Sequence, residues 1–287
     1  MSFKGRETKT LTITLCGAPN VGKSTLLNRI LNCKLAICSS KPQTTRFNIK
    51  GILTRDDTQL VFIDTPGIFR PKLSQLEKQI VKEAWQSFCG ANLACLIIDA
   101  SKGVDGSAKK IIEKITNNSN LKLLAVVNKS DLVSMDEKVL LASELNKFNC
   151  FDEIFFISAK KGNGCDALIE YFFKNADYGE WEFSEDALTD KNSEFIASEF
   201  VREQLFKFLS KELPYMLSCE TEIFEEKEDE IFCSVIVKIG KENHKKMILG
   251  AGGSNLKKIV RNASVNLEKL LGKKVKLKVF IKLEKKK

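Results

Sequence analysis

The sequence predicts an α/β domain, with a mostly parallel sheet and helices on both faces, followed by a smaller α+β domain. Three observations predict it. From Leu11 to about Phe173 short apolar runs alternate with helix-period segments. A polar, acidic stretch, "NADYGEWEFSEDALTDKNS", then breaks that rhythm. Beyond it come a helix, two strands, a short helix, a glycine loop, a longer helix and a last strand. At 287 residues the chain suits about two domains, and the expected boundaries are 1–176 for the first domain, 177–197 for a linker and 198–287 for the second.

The strands expected in the first domain are "LTITLCG", "QLVFIDT", "LACLIIDA", "KLLAVVNK" and "DEIFFISA". In such a sheet the loops at the strand C-termini hold the ligand. In the second domain "SEFVREQLFKFLSKELPY" places Phe200, Leu205, Phe208 and Leu209 near helical spacing, with Pro214 as the stop. "CETEIFEE" and "EIFCSVIVKI" read as strands joined by the acidic turn "KED". After the glycine loop, Leu256, Ile259, Ala263, Leu267 and Leu270 form one apolar helical stripe to about Leu271. In "KVKLKVFIKL", Val275, Leu277, Val279, Ile281 and Leu283 alternate with Lys276, Lys278 and Lys282, which predicts a strand with an apolar and a cationic face.

Composition narrows the partner. Hydrophobic residues make up 43% and charged residues 29%, with five prolines, so wholesale disorder is excluded. No window reaches 18 uninterrupted apolar residues, and "MSFKGRETKT" lacks the apolar core of a secretory signal, which places the protein in the cytosol. Nine cysteines without a C-x-x-C pair, and a single histidine, His244, read as reduced thiols and not as zinc or disulfide chemistry. Net charge runs from +6 over residues 1–180 to −10 over 181–230 and +13 over 231–287. The basic end points to a polyanion, nucleic acid before membrane surface; a solvated face kept soluble by lysine is the bland alternative.

"GAPNVGKS" (Gly17, Ala18, Pro19, Asn20, Val21, Gly22, Lys23, Ser24) fits G-x-x-x-x-G-K-[ST] between a strand and a helix. Its glycines let backbone N–H groups turn inward around phosphates, Lys23 reaches the β and γ oxygens, and Ser24 offers a hydroxyl to Mg²⁺. "DTPG" (Asp64, Thr65, Pro66, Gly67) supplies a carboxylate for the Mg²⁺ shell and a glycine N–H for the γ-phosphate. "NKSD" (Asn128, Lys129, Ser130, Asp131) selects the base. A carboxylate only accepts, so Asp131 suits guanine's N1–H and exocyclic amine, whereas adenine's N1 would be left unpaired. "SAK" (Ser158, Ala159, Lys160) completes the base pocket through backbone N–H groups.

These motifs in this order resemble the P-loop GTPases, and "GAPNVGKSTLLN", "KPQTTR" and "DTPGI" resemble the Era group within them. The resemblance implies GTP/GDP and Mg²⁺ as ligands and a contribution from Thr25 to the nucleotide loop. It also implies that Thr45, beside Thr44, completes the metal shell with Ser24, while Asp64 reaches the ion through water. Lys23, Thr45 and Gly67 then carry the catalysis. Relatives associate an asparagine at the place of Asn20 with a K⁺ ion; an asparagine holding the loop by a backbone hydrogen bond is the alternative. Ile68 stands where Ras-like enzymes orient the attacking water with glutamine, and it has no polar atom. Arg46 and Arg70 lie in the two switch segments, but neither reads as an evident cis arginine finger. Relative to an assisted rate of ~10 s⁻¹, an intrinsic rate near ~10⁻³ s⁻¹ leaves about 5 kcal/mol unused, so a slow enzyme is expected.

The second glycine loop, "GAGG" (Gly250, Ala251, Gly252, Gly253), has no lysine and hydroxyl directly after it and cannot encircle a triphosphate. It fits G-x-x-G between two helices, the KH clamp for about four single-stranded nucleotides. Lys245 and Lys246 flank it on one side, and Lys257, Lys258 and Arg261 lie off the apolar stripe on the other. The element order resembles a type II KH domain, the domain that Era-group proteins carry after the GTPase domain. This implies binding of single-stranded ribosomal RNA near the 3′ end of the small-subunit RNA, a role in small-subunit assembly, and peripheral contact with the inner membrane, with no DNA partner and a monomeric chain. Two departures stand out: Ala251 and Gly252 carry no cation where relatives have lysine, and the chain stops at "KLEKKK". The competing readings are a related GTPase in tRNA modification or signalling, and an RNA-binding scaffold without turnover.

Overall fold

The computed structural model describes residues 7–39, 41, 44–67, 88, 90–118, 121–210 and 212–284. They form two compact units: Met1–Ala36 with Thr45–Asp190, and Ile37–Thr44 with Lys191–Lys287.

In the first unit the expected apolar runs become β1 (Lys9–Cys16), β3 (Thr58–Asp64), β4 (Leu93–Asp99), β5 (Lys122–Asn128) and β6 (Glu153–Phe156). Neighbours among them pair in parallel in the order β3-β1-β4-β5-β6. β3 and β4 are buried at every position, as strands covered on both faces must be. The helices are α1 (Lys23–Ile30), α2 (Gly106–Asn118), α3 (Met135–Asn146) and α4 (Cys165–Lys174). Leu96, Ile98, Ala125 and Val127 pack with Ile111, Ile112 and Ile115 of α2 and with Leu141 and Leu145 of α3. α3 is started by a capping box, in which the Ser134 hydroxyl accepts from the Glu137 N–H and the Glu137 carboxylate accepts from the Ser134 N–H. Phe172 of α4 meets Phe62 of β3 edge to face at 5.5 Å.

Two strands lie outside the expected pattern. β2 (Ile49–Arg55) pairs antiparallel with β3 at the sheet edge, and β7 (Asp177–Tyr178) pairs antiparallel with the start of β1. In "IKGILTR" a glycine and two charged residues blur the period-two signal that the buried strands show.

Residues 177–190, inside the stretch expected as a linker, are fastened to this unit. Trp181 Nε1 donates to the carbonyls of Lys9 (3.1 Å) and Asp57 (3.2 Å). Gln59 exchanges two hydrogen bonds with the backbone of Phe183, and the Ile52 N–H donates to the Leu188 carbonyl at 2.9 Å. The acidic composition concealed this, because the attachment rests on two neutral side chains, the Trp181 indole and the Gln59 amide, that meet backbone groups, and on backbone bonds along the edge strand β2.

The second unit holds α5 (Ser193–Phe208), α6 (Glu242–Leu249), α7 (Ser254–Leu271), β8 (Ser218–Glu226), β9 (Glu230–Ile239) and β10 (Lys274–Leu283). The sheet order is β10-β9-β8, with β10 parallel and β8 antiparallel to β9. Ile259, Ala263 and Leu267 of the expected stripe are buried, as are Val275 and Leu277 of β10. Lys276 pairs with Glu230 at 2.6 Å and Lys278 lies 5.1 Å over the Phe232 ring, so part of the lysine face of this edge strand is engaged within the unit.

α5 differs from its expected bounds. It starts at Ser193, capped by the Asn192 side chain, and ends at Phe208, short of Pro214, which opens a separate short 3₁₀ turn. The Lys41 ammonium donates to the carbonyls of Phe206 and Leu209 at the helix end, where unsatisfied carbonyls favour a cation. Eleven consecutive residues, Ile196 to Phe206, are buried. Among them Glu199 and Arg202 form a buried pair, and the Glu203 carboxylate accepts from the Cys38 N–H at 2.9 Å. Among the described residues, no helix is long and apolar enough to cross a membrane.

Candidate functional site

The strand order reverses at β1, with β3 on one side and β4 on the other, and the motif residues gather at the carboxyl ends of these strands, where such sheets bind ligands. Gly22, at φ 107°, shows why the first loop needs glycine: a Cβ there would stand 2.2 Å from Asn128 Nδ2. The Lys23 ammonium curls back under the loop and donates to the carbonyls of Gly17 (3.1 Å) and Ala18 (3.0 Å). Burial lowers its pKa, opposed by the nearby Asp64 carboxylate. Gly67 comes against the same loop, its Cβ position lying 2.9 Å from Pro19 Cα.

Beside Lys23 lies a cluster of hard oxygens. The Ser24 hydroxyl donates to Asp64 Oδ2 at 2.6 Å and lies 3.1 Å from the Thr45 hydroxyl. Asp64 is fully buried, and burial pushes its carboxyl up to about 6 despite the Ser24 hydrogen bond and Lys23. Its other oxygen, Oδ1, has no hydrogen-bond partner among the described residues. An orphaned buried carboxylate oxygen next to two hydroxyls fits Mg²⁺, which takes one or two carboxylates and completes its shell with water and phosphate. Thr65 turns away, its hydroxyl donating to the Leu15 carbonyl at 2.7 Å, and so holds β3 against β1. The Thr44 hydroxyl donates to the Lys41 carbonyl at 2.8 Å, which leaves Thr45 as the threonine at the cluster. Ile68 and Arg70 lie outside the described residues.

The base motif is tied to the first loop by side chains. Asn128 Nδ2 donates to the Val21 carbonyl at 2.8 Å, and Asn128 Oδ1 accepts from the Ala159 N–H at 2.9 Å, which joins the first loop, "NKSD" and "SAK" through one amide. Lys129, at φ 62°, donates to the Asn20 carbonyl at 2.9 Å. Asn20 is exposed and itself at φ 64°. Asp131 sits on the 3₁₀ turn Ser130–Leu132, and hydrogen bonds from Ser158 and Lys161 hold its carboxyl below the usual range. Ser158 and Ala159 are buried and Lys160 is exposed.

Three contributors were missed in the sequence. Arg29 of α1 donates to the carbonyls of Ala159 (3.1 Å) and Lys160 (2.9 Å) and so fixes "SAK" from behind. Lys161 pairs with Asp131 at 3.1 Å. Asp99 pairs with Lys129 at 2.5 Å. Only Asp99 left a signal: it is the lone charge at the carboxyl end of the apolar run "LACLIIDA".

In the second unit, α6 ends and α7 begins at the other glycine loop. Gly250, Gly252 and Gly253 have φ of 69°, 57° and 78°, a succession in the left-handed region that explains the glycines by backbone conformation before any ligand is considered. Ala251 and Gly252 are exposed, Gly250 and Gly253 half-buried, and nothing lies within 4 Å of a Cβ built at Gly252 or Gly253. Lys245, Lys246, Lys257, Lys258 and Arg261 are all exposed.

Fold and site together define a P-loop GTPase domain followed by a KH domain. The family models agree: one described as "50S ribosome-binding GTPase" matches residues 12–129, and one described as "KH domain" matches residues 212–287. The chain belongs to the Era GTPase family, and it is a GTPase. It is 41% identical over 280 residues to GTPase Era of Rickettsia conorii, which covers 96% of this chain and 80% of that protein. A crystal structure of Era in complex with MgGDPNP and nucleotides 1506–1542 of 16S ribosomal RNA superposes with a TM-score of 0.90 at 33% identity, covering 97% of this chain and 94% of that one. A variant of Aquifex aeolicus Era bound to GDP and AlF₄⁻ gives a TM-score of 0.90 at 32% identity, covering 97% and 95%.

Proposed function

We propose that this chain is a GTP-driven switch that binds single-stranded RNA near the 3′ end of the small-subunit ribosomal RNA and acts in small-subunit assembly in the cytoplasm. The observation that carries the reading is the pairing, in one chain, of the convergent cluster around Lys23, Ser24 and Asp64 with an open glycine turn flanked by five exposed cations. The relative crystallised with MgGDPNP and a 16S segment supports both halves.

On this reading Lys23 and the first-loop N–H groups grip the β- and γ-phosphates, the Gly67 N–H meets the γ-phosphate, and Asp131 with the "SAK" backbone holds guanine. Ser24 and Thr45 directly, and Asp64 through water, would hold Mg²⁺, which when bound neutralises charge between the phosphates. No residue here is assigned the task of activating the attacking water, which accounts for a slow timer. Asn20 remains the proposed K⁺ contact: its exposed side chain is carried on a loop position fixed by Lys129. GTP turnover is expected to be faster in K⁺ than in Na⁺ buffer, and equal rates would remove the ion from the account.

The RNA half is tested with the full chain and a single-stranded oligonucleotide from the 3′ end of small-subunit ribosomal RNA, titrated across salt. Lys257→Ala with Lys258→Ala is expected to weaken binding and to flatten the slope of log K against log salt by about 1.4, at ~0.7 for each single-strand phosphate that a lysine no longer neutralises. An unchanged slope would mean that α7 docks something other than a nucleic-acid backbone.

A further inference from the structure

Asp99 lies outside the motifs described above, yet it sits at their junction. It is the last residue of β4 and pairs in register with Asn128, the last residue of β5. It is 3% exposed, so its carboxylate has lost most of its water. Oδ1 accepts from the Ser101 N–H (3.1 Å) and hydroxyl (2.7 Å), while Oδ2 faces the Lys129 ammonium at 2.5 Å. That ammonium also donates to the Asn20 carbonyl at 2.9 Å. Asn20 and Lys129 are both non-glycine residues in the left-handed region, at φ 64° and 62°. Such conformations persist where surrounding contacts over-determine them, and the Lys129 side chain supplies a contact to Asn20 that Asp99 holds in place.

We infer that Asp99 is a positioning residue for the guanine nucleotide: its carboxylate anchors the Lys129 ammonium on Asn20, ties the base-recognition turn to the phosphate loop, and so prolongs the residence of GDP and GTP alike. This rests on the proposed reading of Lys129 as part of the nucleotide site. The lock is a charged pair with one partner buried, whose weight depends on both members being present.

The test is a double-mutant cycle on the full chain with Mg²⁺, following dissociation of fluorescent GDP and a fluorescent non-hydrolysable GTP analogue. Asp99→Asn keeps the acceptor for Ser101 and removes the charge facing Lys129. It is expected to speed dissociation of both nucleotides on the order of tenfold, by a similar factor for each. In a Lys129→Met background the same change is expected to add less than about twofold, since the partner is already gone. A merely structural Asp99 would give factors that multiply, and that result, or wild-type dissociation from Asp99→Asn beside a fast Lys129→Met, overturns the inference while leaving the site reading intact. Unchanged dissociation from Lys129→Met alone overturns the site reading and the inference with it. Where the amide variant fails to fold, Asp99→Ser carries the same cycle with the same outcomes.

Discussion

Replacing Asp131 with asparagine is expected to move the nucleotide preference from guanine to xanthine. In the wild-type chain the carboxylate is an acceptor at both oxygens, matched to two donors on guanine, N1–H and the exocyclic amine. An asparagine presents one acceptor and one amide donor, and the donor would point at guanine's amine and leave both groups unpaired. Xanthine has a carbonyl where guanine has the amine, so the same amide meets it correctly. Sites built on such pairing reject the mismatched partner by on the order of 10⁴. The turn that carries Asp131 is set by backbone hydrogen bonds, including Ser130 N–H to the Ile157 carbonyl at 3.0 Å, which the substitution does not touch. Competition between GTP and XTP for the full chain reads the change directly. A variant that still prefers GTP by the wild-type factor would take base recognition away from Asp131.

Lys23→Ala is expected to lower kcat for GTP by about 10² to 10³ or more, the cost of removing one preorganised group that stabilises transition-state charge. Lys23 is 6% exposed, and its ammonium is held among the described residues by the carbonyls of Gly17 and Ala18, so it is aimed into the loop, where a triphosphate can claim it. The helix that carries it stays anchored by buried Leu26, Leu27 and Ile30, so loss of activity should not reflect loss of fold. Single-turnover hydrolysis measures the effect, and turnover within tenfold of wild type would leave Lys23 without the phosphate role. It would also reopen the reading of the chain as a scaffold whose pocket does not hydrolyse.

The parallel strands were legible because burial on both faces leaves an unbroken apolar run, as in "QLVFID" and "LACLIID". The phosphate loop, "DTPG", "NKSD" and "SAK" were legible because each depends on particular atoms at fixed spacing. What stayed hidden depends on partners far away in sequence. Arg29 acts across 130 residues through guanidinium contacts to two carbonyls, and any solvated helix arginine looks the same in the sequence. The attachment of 177–190 joins the Trp181 indole and the Gln59 amide to backbone groups more than 120 residues away in sequence, partners that a local pattern does not register. α5 ends at Phe208, six residues short of Pro214, and carbonyls at its end meet Lys41, 165 residues before Phe206, a partner that local spacing does not reveal. The spacing of the glycine turn at 250–253 fits a G-x-x-G clamp; three positive φ angles supply a conformational reason for the glycines that spacing alone does not express.

A GTP-driven switch requires guanine nucleotide occupancy and RNA occupancy to be linked. Thr44 of the second unit precedes Thr45 of the first directly, and within the second unit Cys38 bonds the Glu203 carboxylate and Lys41 the carbonyls of Phe206 and Leu209, so a change at Thr45 has a covalent path to the second unit. Linkage requires the two affinities to change by one common factor, commonly between about 5 and 150. The most direct measurement is the affinity of the full chain for the ribosomal 3′-end oligonucleotide, at fixed salt and Mg²⁺, with GDP and with a non-hydrolysable GTP analogue. The expected result is binding at least about fivefold tighter in the GTP form, with the analogue's own affinity raised by the same factor when RNA is present. Equal RNA affinity in the two forms would contradict the account.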